Sequence, residues 1–176
     1  SRDPAPPTIE YVRHSGGIYM DMMIHDFDMI RFLAGCEAVE VYAKGAVLVD
    51  ERIGAENDVD TPVVTLTFEN GAIGVIDNSR QAVYGYDQRI EVFGSKGSVY
   101  DENDIANTVK INSEDCTSYG TCYKIMWDRY TQAFIDEMRS FADAVINDKT
   151  PEVTDLDGLY PVLMAEAAKR YLAEGR

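Results

Sequence analysis

Residues 15–35 read SGGIYMDMMIHDFDMIRFLAG, and the reading of this stretch decides the fold. Large apolar residues fall at 18, 19, 20, 22, 23, 24, 27, 29, 30, 32 and 33, a stripe that predicts one helix over 18–33 packed on more than one side. Gly35 can take the left-handed conformation that ends a helix. Asp21 and His25 stand at i and i+4, so an unbroken helix projects them to nearly the same face. A carboxylate beside one imidazole nitrogen fixes the tautomer and leaves the other nitrogen to accept a proton from a substrate hydroxyl. That makes His25 a candidate general base and Asp21 its orienting partner, against the ordinary reading of a helix-surface pair. A divalent-metal site is not expected: only Asp21, His25 and Asp28 share a side, and Asp26 points elsewhere around the helix. Gly16-Gly17, just before the stripe, permits close approach of another chain or a ligand.

Before the glycines, TIEYVRH predicts a short extended piece, and His14 within it is either structural or exposed. After Gly35 the period changes. AVEVYAKGAVLVD, TPVVTLTF and AIGVIDNSR are β-branched runs, the last two joined by ENG, the Asn-Gly signal of a tight hairpin. ERIGAENDVD between them is polar and acidic. QRIEVFG and SVY, around SKG, predict a further pair of strands, and residues 101–122 offer at best one weak strand. Helical spacing returns through Ile125, Met126, Tyr130, Phe134, Met138, Phe141 and Val145. LDGLYPVLMAEAAKRYLAEG then predicts a last helix, with Pro161 near its first turn and Gly175 at its end. The expected class is α+β: an open-faced mixed, largely antiparallel sheet of about five or six strands with helices packed on one face. Residues 1–176 read as one domain without an internal repeat.

Sixteen basic residues against 31 acidic ones give a formal charge of −15, which speaks against nucleic acid or an anionic membrane as partner. No window reaches the roughly 18 consecutive apolar residues that span a bilayer. Cys36, Cys116 and Cys122 cannot all pair within one chain, which fits a reducing, cytoplasmic setting. Neither Gly16-Gly17 nor GSKG at 94–97 is a Gly-x-Gly-x-x-Gly turn opening a helix after a strand, so no dinucleotide-binding half is expected in these residues. SRDPAPPT begins without Met and holds three prolines in seven residues, which reads as a connection leaving an earlier element. Tyr84 and Tyr86 of YGYD combine a ring wall with a directional hydroxyl, so they are candidates to line a polyhydroxylated ligand, or else ordinary cross-strand packing.

Taken together, SRDPAPP, GGIYMDMMIHDFDMIRFL and DNSRQAVYGYDQRIEVFGSKG resemble the C-terminal substrate and oligomerisation domain of the glucose-fructose oxidoreductase-like dehydrogenases, most closely their inositol-oxidising branch. The likeness is specific from Ser1 to about Val99 and weaker through the two terminal helices; residues 101–122 match no family motif. The resemblance implies a nucleotide-binding Rossmann domain that precedes these residues and holds most of the NAD, with NADP as the alternative. It implies NAD-dependent oxidation of a cyclic polyol, myo-inositol or a relative, to its ketone, with a catalytic lysine supplied by the Rossmann half. Carried over onto matching positions, His25 becomes the base, Asp21 its partner and a ligand for neighbouring hydroxyls, Tyr86 or Tyr84 a wall of the polyol pocket, and Asp3 a further substrate contact. It also implies a homodimer or homotetramer through the free sheet face, and an isolated domain without activity. The rival readings are an aldose or other sugar dehydrogenase of the same family, a non-catalytic sugar-binding or assembly module of the same fold, and a metal-dependent lyase or hydrolase.

Overall fold

The computed structural model describes residues 1–175. In chain order the elements are α1 (Ile9–Ser15), α2 (Ile18–Asp21), α3 (Met23–Ala34), β1 (Ala38–Ala46), α4 (Glu51–Ala55), β2 (Thr61–Phe68), β3 (Ile73–Asp77), β4 (Ile90–Gly94), β5 (Gly97–Asp101), β6 (Lys110–Asn112), β7 (Thr117–Tyr119), α5 (Met126–Ile146) and α6 (Asp155–Glu174). They form two compact units, one of residues 1, 5–81 and 153 onward, the other of residues 2–4 and 82–152.

The first unit is built on a three-stranded antiparallel sheet in the order β1-β2-β3. Period-2 alternation sends Val64, Leu66 and Phe68 of β2, Ala43 of β1 and Ile76 of β3 to one face. That face meets Met23 and Phe27 of α3 and Met164, Ala165 and Ala168 of α6 in one core. Two alanines in α6 let the helix lie close to the sheet. Gly74 on β3 makes room for α3 instead, because a Cβ there would stand 2.3 Å from Cδ1 of Ile30. The opposite face carries Val63, Ile73 and Val75, all exposed. The β2–β3 turn is the expected Asn-Gly hairpin: Gly71 has φ +83° and its N–H donates to Phe68 O at 2.8 Å.

The helix expected over 18–33 is two helices. Met22, at φ −111° and ψ −55°, breaks the run, and the His25 N–H donates to Met22 O at 3.4 Å. Gly35 ends α3 in the left-handed conformation, as its position suggested. TIEYVRH is helical rather than extended: the Thr8 hydroxyl caps the Tyr11 N–H and Gly16 closes α1 at φ +84°. The polar ERIGAENDVD segment contains α4, and Pro161 lies seven residues into α6, buried, not in its first turn.

Asp60 organises the loop between β1 and α4. Its buried carboxylate accepts the N–H groups of Leu48 (2.8 Å), Val49 and Asp50 (both 2.9 Å) and the Thr61 hydroxyl (2.8 Å). Burial works against the charge of Asp60, but these four donors together outweigh it and hold the carboxyl below the usual carboxylate range.

The second unit holds two antiparallel hairpins, β4–β5 and β6–β7, and α5, whose geometry departs from helical at Tyr130. The α+β class with antiparallel sheet is therefore as expected, with seven strands shared among one three-stranded sheet and two hairpins. Residues 101–122 contain the β6–β7 hairpin, over 110–119, instead of a single weak strand. Among the described residues, no helix is long and apolar enough to cross a membrane, and no cluster of three potential metal ligands occurs.

Candidate active site

In the first unit the candidate chemistry sits at the α2–α3 break. Asp21 is the last residue of α2, and its side chain is 14% exposed. One carboxylate oxygen accepts the Tyr11 hydroxyl at 2.5 Å; the other lies 2.6 Å from Nη1 of Arg80, whose side chain is only 2% exposed. His25, in the first turn of α3, is exposed. Among the described residues no hydrogen bond or ion pair joins Asp21 to His25. The expected carboxylate–imidazole contact is therefore corrected, and its cause is the break at Met22, which takes the two side chains out of one helical register.

Arg80 and Asn78 reach the site because the chain continues past β3 in strand phase. Ile76, Asn78 and Arg80 share the buried parity, and the N–H groups of Asn78 and Arg80 donate to Pro62 O (3.0 Å) and Asp60 O (2.9 Å). The Asn78 amide donates to Asp26 at 2.7 Å, so the two halves of the broken helix are each tied to this strand exit. Tyr19, buried in α2, is no rival base: burial, with Asp58 adding, pushes its hydroxyl up to about 12. His14 is exposed on α1 and bonds Glu10 O through Nδ1 at 2.9 Å.

In the second unit Tyr84 donates its hydroxyl to the Asp87 carboxylate, which also pairs with Arg2 (3.3 Å) and Arg89 (2.9 Å). Burial opposes the charge on Asp87, yet the Tyr84 hydroxyl and the two arginines outweigh it and keep the carboxyl below its ordinary range. Tyr86 stacks edge-on against Tyr130, ring centroids 6.0 Å apart, and its N–H donates to Tyr123 O. Asp3 receives the Ala82 N–H on its backbone carbonyl at 2.6 Å. The structure thus brings Tyr84 to Asp87 and Arg2, and gives Tyr86 an aromatic partner.

Sequence reasoning missed Tyr11, Arg80, Asn78 and Asp87. For Asn78 and Arg80 a signal existed: two polar residues continue the apolar parity of β3, where burial of an amide and a guanidinium demands partners.

Residues 1–100 match the model of the GFO/IDH/MocA C-terminal domain. The chain is 50% identical over 176 residues to the myo-inositol 2-dehydrogenase of Thermotoga maritima, covering all of this chain and 53% of that protein. It is 35% identical to the scyllo-inositol 2-dehydrogenase (NAD(+)) of Bacillus subtilis, covering 99% of this chain and 51% of that one. The crystal structure of a probable dehydrogenase from Thermotoga maritima superposes with a TM-score of 0.97 at 50% identity, over 100% of this chain and 53% of that one. The chain spans about half the length of the curated relatives it matches. On the family model and on these identities, the chain belongs to the GFO/IDH/MocA family, as a C-terminal domain.

Proposed function

We propose that this chain is the substrate-binding half of an NAD-dependent dehydrogenase that oxidises a cyclic polyol, myo-inositol or a relative, to its ketone. One observation carries the reading: a carboxylate fixed on both oxygens ends one helix and an exposed imidazole opens the next. The relatives' activities, inositol oxidation and in one case NAD(+) as acceptor, support it.

His25 is the base that takes the proton of the reacting hydroxyl, and its exposure leaves the ring free to reach it. Asp21 accepts hydrogen bonds from neighbouring ring hydroxyls. Tyr84, Tyr86 and Asp3 are the further polyol contacts in this reading, with Tyr84 already committed to Asp87. A ring hydroxyl left without its buried partner costs roughly 1–3 kcal/mol, which is how such a site discriminates isomers. Among the described residues the paired strands are antiparallel and no glycine-rich turn opens a helix after one of them, so a dinucleotide cradle is not part of this reading. NAD, which accepts the hydride, belongs to a Rossmann half preceding these residues, and the chain alone is inactive. The exposed Val63, Ile73 and Val75 face suits self-association as a dimer or tetramer. Three unpaired cysteines fit a cytoplasmic setting.

The test is NAD reduction by the full-length protein against inositols and hexoses. Turnover of myo- or scyllo-inositol is expected; turnover of an aldose alone would replace the substrate, and silence across the panel would sink the reading.

A further inference from the structure

We infer that Arg80 is a positioning residue for polyol oxidation, acting through Asp21; this rests on the function proposed above. A carboxylate offers about four lone-pair positions. Tyr11 takes one on the first oxygen and Arg80 takes one on the second, at 2.5 and 2.6 Å, which leaves one acceptor position on each. With both oxygens anchored the carboxylate plane cannot turn, so a ring hydroxyl arriving at the 14% exposed edge meets an acceptor already aimed.

A fastening role alone does not explain the charge. Two residues earlier Asn78 ties Asp26 to the same strand exit with a neutral amide at 2.7 Å. Burying a guanidinium to 2% exposure is far more demanding than burying an amide, and this one pairs at 2.6 Å with the carboxylate placed at the candidate site. The backbone of Arg80 is itself held, its N–H donating to Asp60 O at 2.9 Å, so the guanidinium starts from a fixed base. Tyr11, exposed on α1, supplies the second anchor, and the Asp21 side chain stays 14% exposed.

The experiment uses the full-length protein with myo-inositol and NAD, comparing Arg80→Met, Arg80→Lys, Asp21→Asn and the double variant Asp21→Asn/Arg80→Met. Arg80→Met is expected to lower kcat/KM for the polyol about 100-fold, the scale of a misplacement near 1 Å, with KM for NAD unchanged. Arg80→Lys should recover part of that loss, and the double variant should be no worse than Asp21→Asn alone. Losses that add across the cycle, or a lower melting temperature with normal polyol kinetics, would reduce Arg80 to a fastener and overturn the inference. Should Arg80→Met fail to fold, the same cycle run with Arg80→Lys decides by the same non-additivity. Wild-type kinetics in Asp21→Asn would instead remove the site reading itself, and Arg80's role with it.

Discussion

Asp60→Ala removes the acceptor for three successive backbone N–H groups and one hydroxyl, all within 2.9 Å. A hydrogen bond to a charged acceptor contributes about 1.5–3 kcal/mol, and the upper sum overshoots because water reaches the loop once the side chain is gone; Leu48 is 75% exposed. A net loss of about 3–5 kcal/mol follows, which lowers Tm by about 10 °C for a chain of this size. Urea and thermal unfolding followed by far-UV circular dichroism measure it. The pH dependence provides a second arm. Because the folded carboxyl lies below its unfolded value of about 3.9, its stabilisation is present above that pH and is lost as pH falls through the folded value. The difference between wild type and Asp60→Ala should therefore be full near neutrality and shrink toward about pH 3. A loss under about 1 kcal/mol, or one that is equal at both pH values, would refute the account of this loop.

His25→Ala in the full-length protein should lower turnover by about 10²–10⁴ while leaving Tm unchanged, since the ring is exposed; normal turnover would remove the base. Gly17→Ala should destabilise by about 1–3 kcal/mol in denaturant titration, because Gly17 has φ +88° and an added Cβ would meet Oδ1 of Asp58 at 2.9 Å; a neutral result would contradict the strain argument. For the sheet face, sedimentation at micromolar concentration should give a mass above 19.7 kDa for the chain, and a monomer would contradict self-association.

What the sequence disclosed follows the range of the interactions. Gly35, the Glu69-Asn70-Gly71 turn and the two long terminal helices rest on local conformation and were legible. The break at Met22 was not, because the apolar stripe runs through Ile18, Tyr19, Met22, Met23 and Phe27 without interruption, and periodicity sees no change where both helices bury the same kind of residue. TIEYVRH is too short for a 3.6-residue period to declare itself, although Thr8 and Gly16 were available as caps. The Asp21–Arg80 pair spans 59 positions and the Asp60 loop depends on three backbone groups ten to twelve residues away, so neither has a local signature. The i, i+4 spacing and the family resemblance both marked His25 and Asp21 as candidates, yet the partners of Asp21 came only from the fold.

The discontinuity at Met22 also bears on how this site changes by insertion and deletion. In an unbroken helix one added residue swings everything beyond it by about 100°, and the imidazole would be lost from its side. Here the carboxylate is held from the strand exit and the imidazole rides on a separate helix with its own first turn. Length at the junction can change while each anchor keeps its own moorings, so the separation between the proposed acceptor and the proposed base, and with it the pair of ring positions that the proposed site would address, becomes an adjustable dimension.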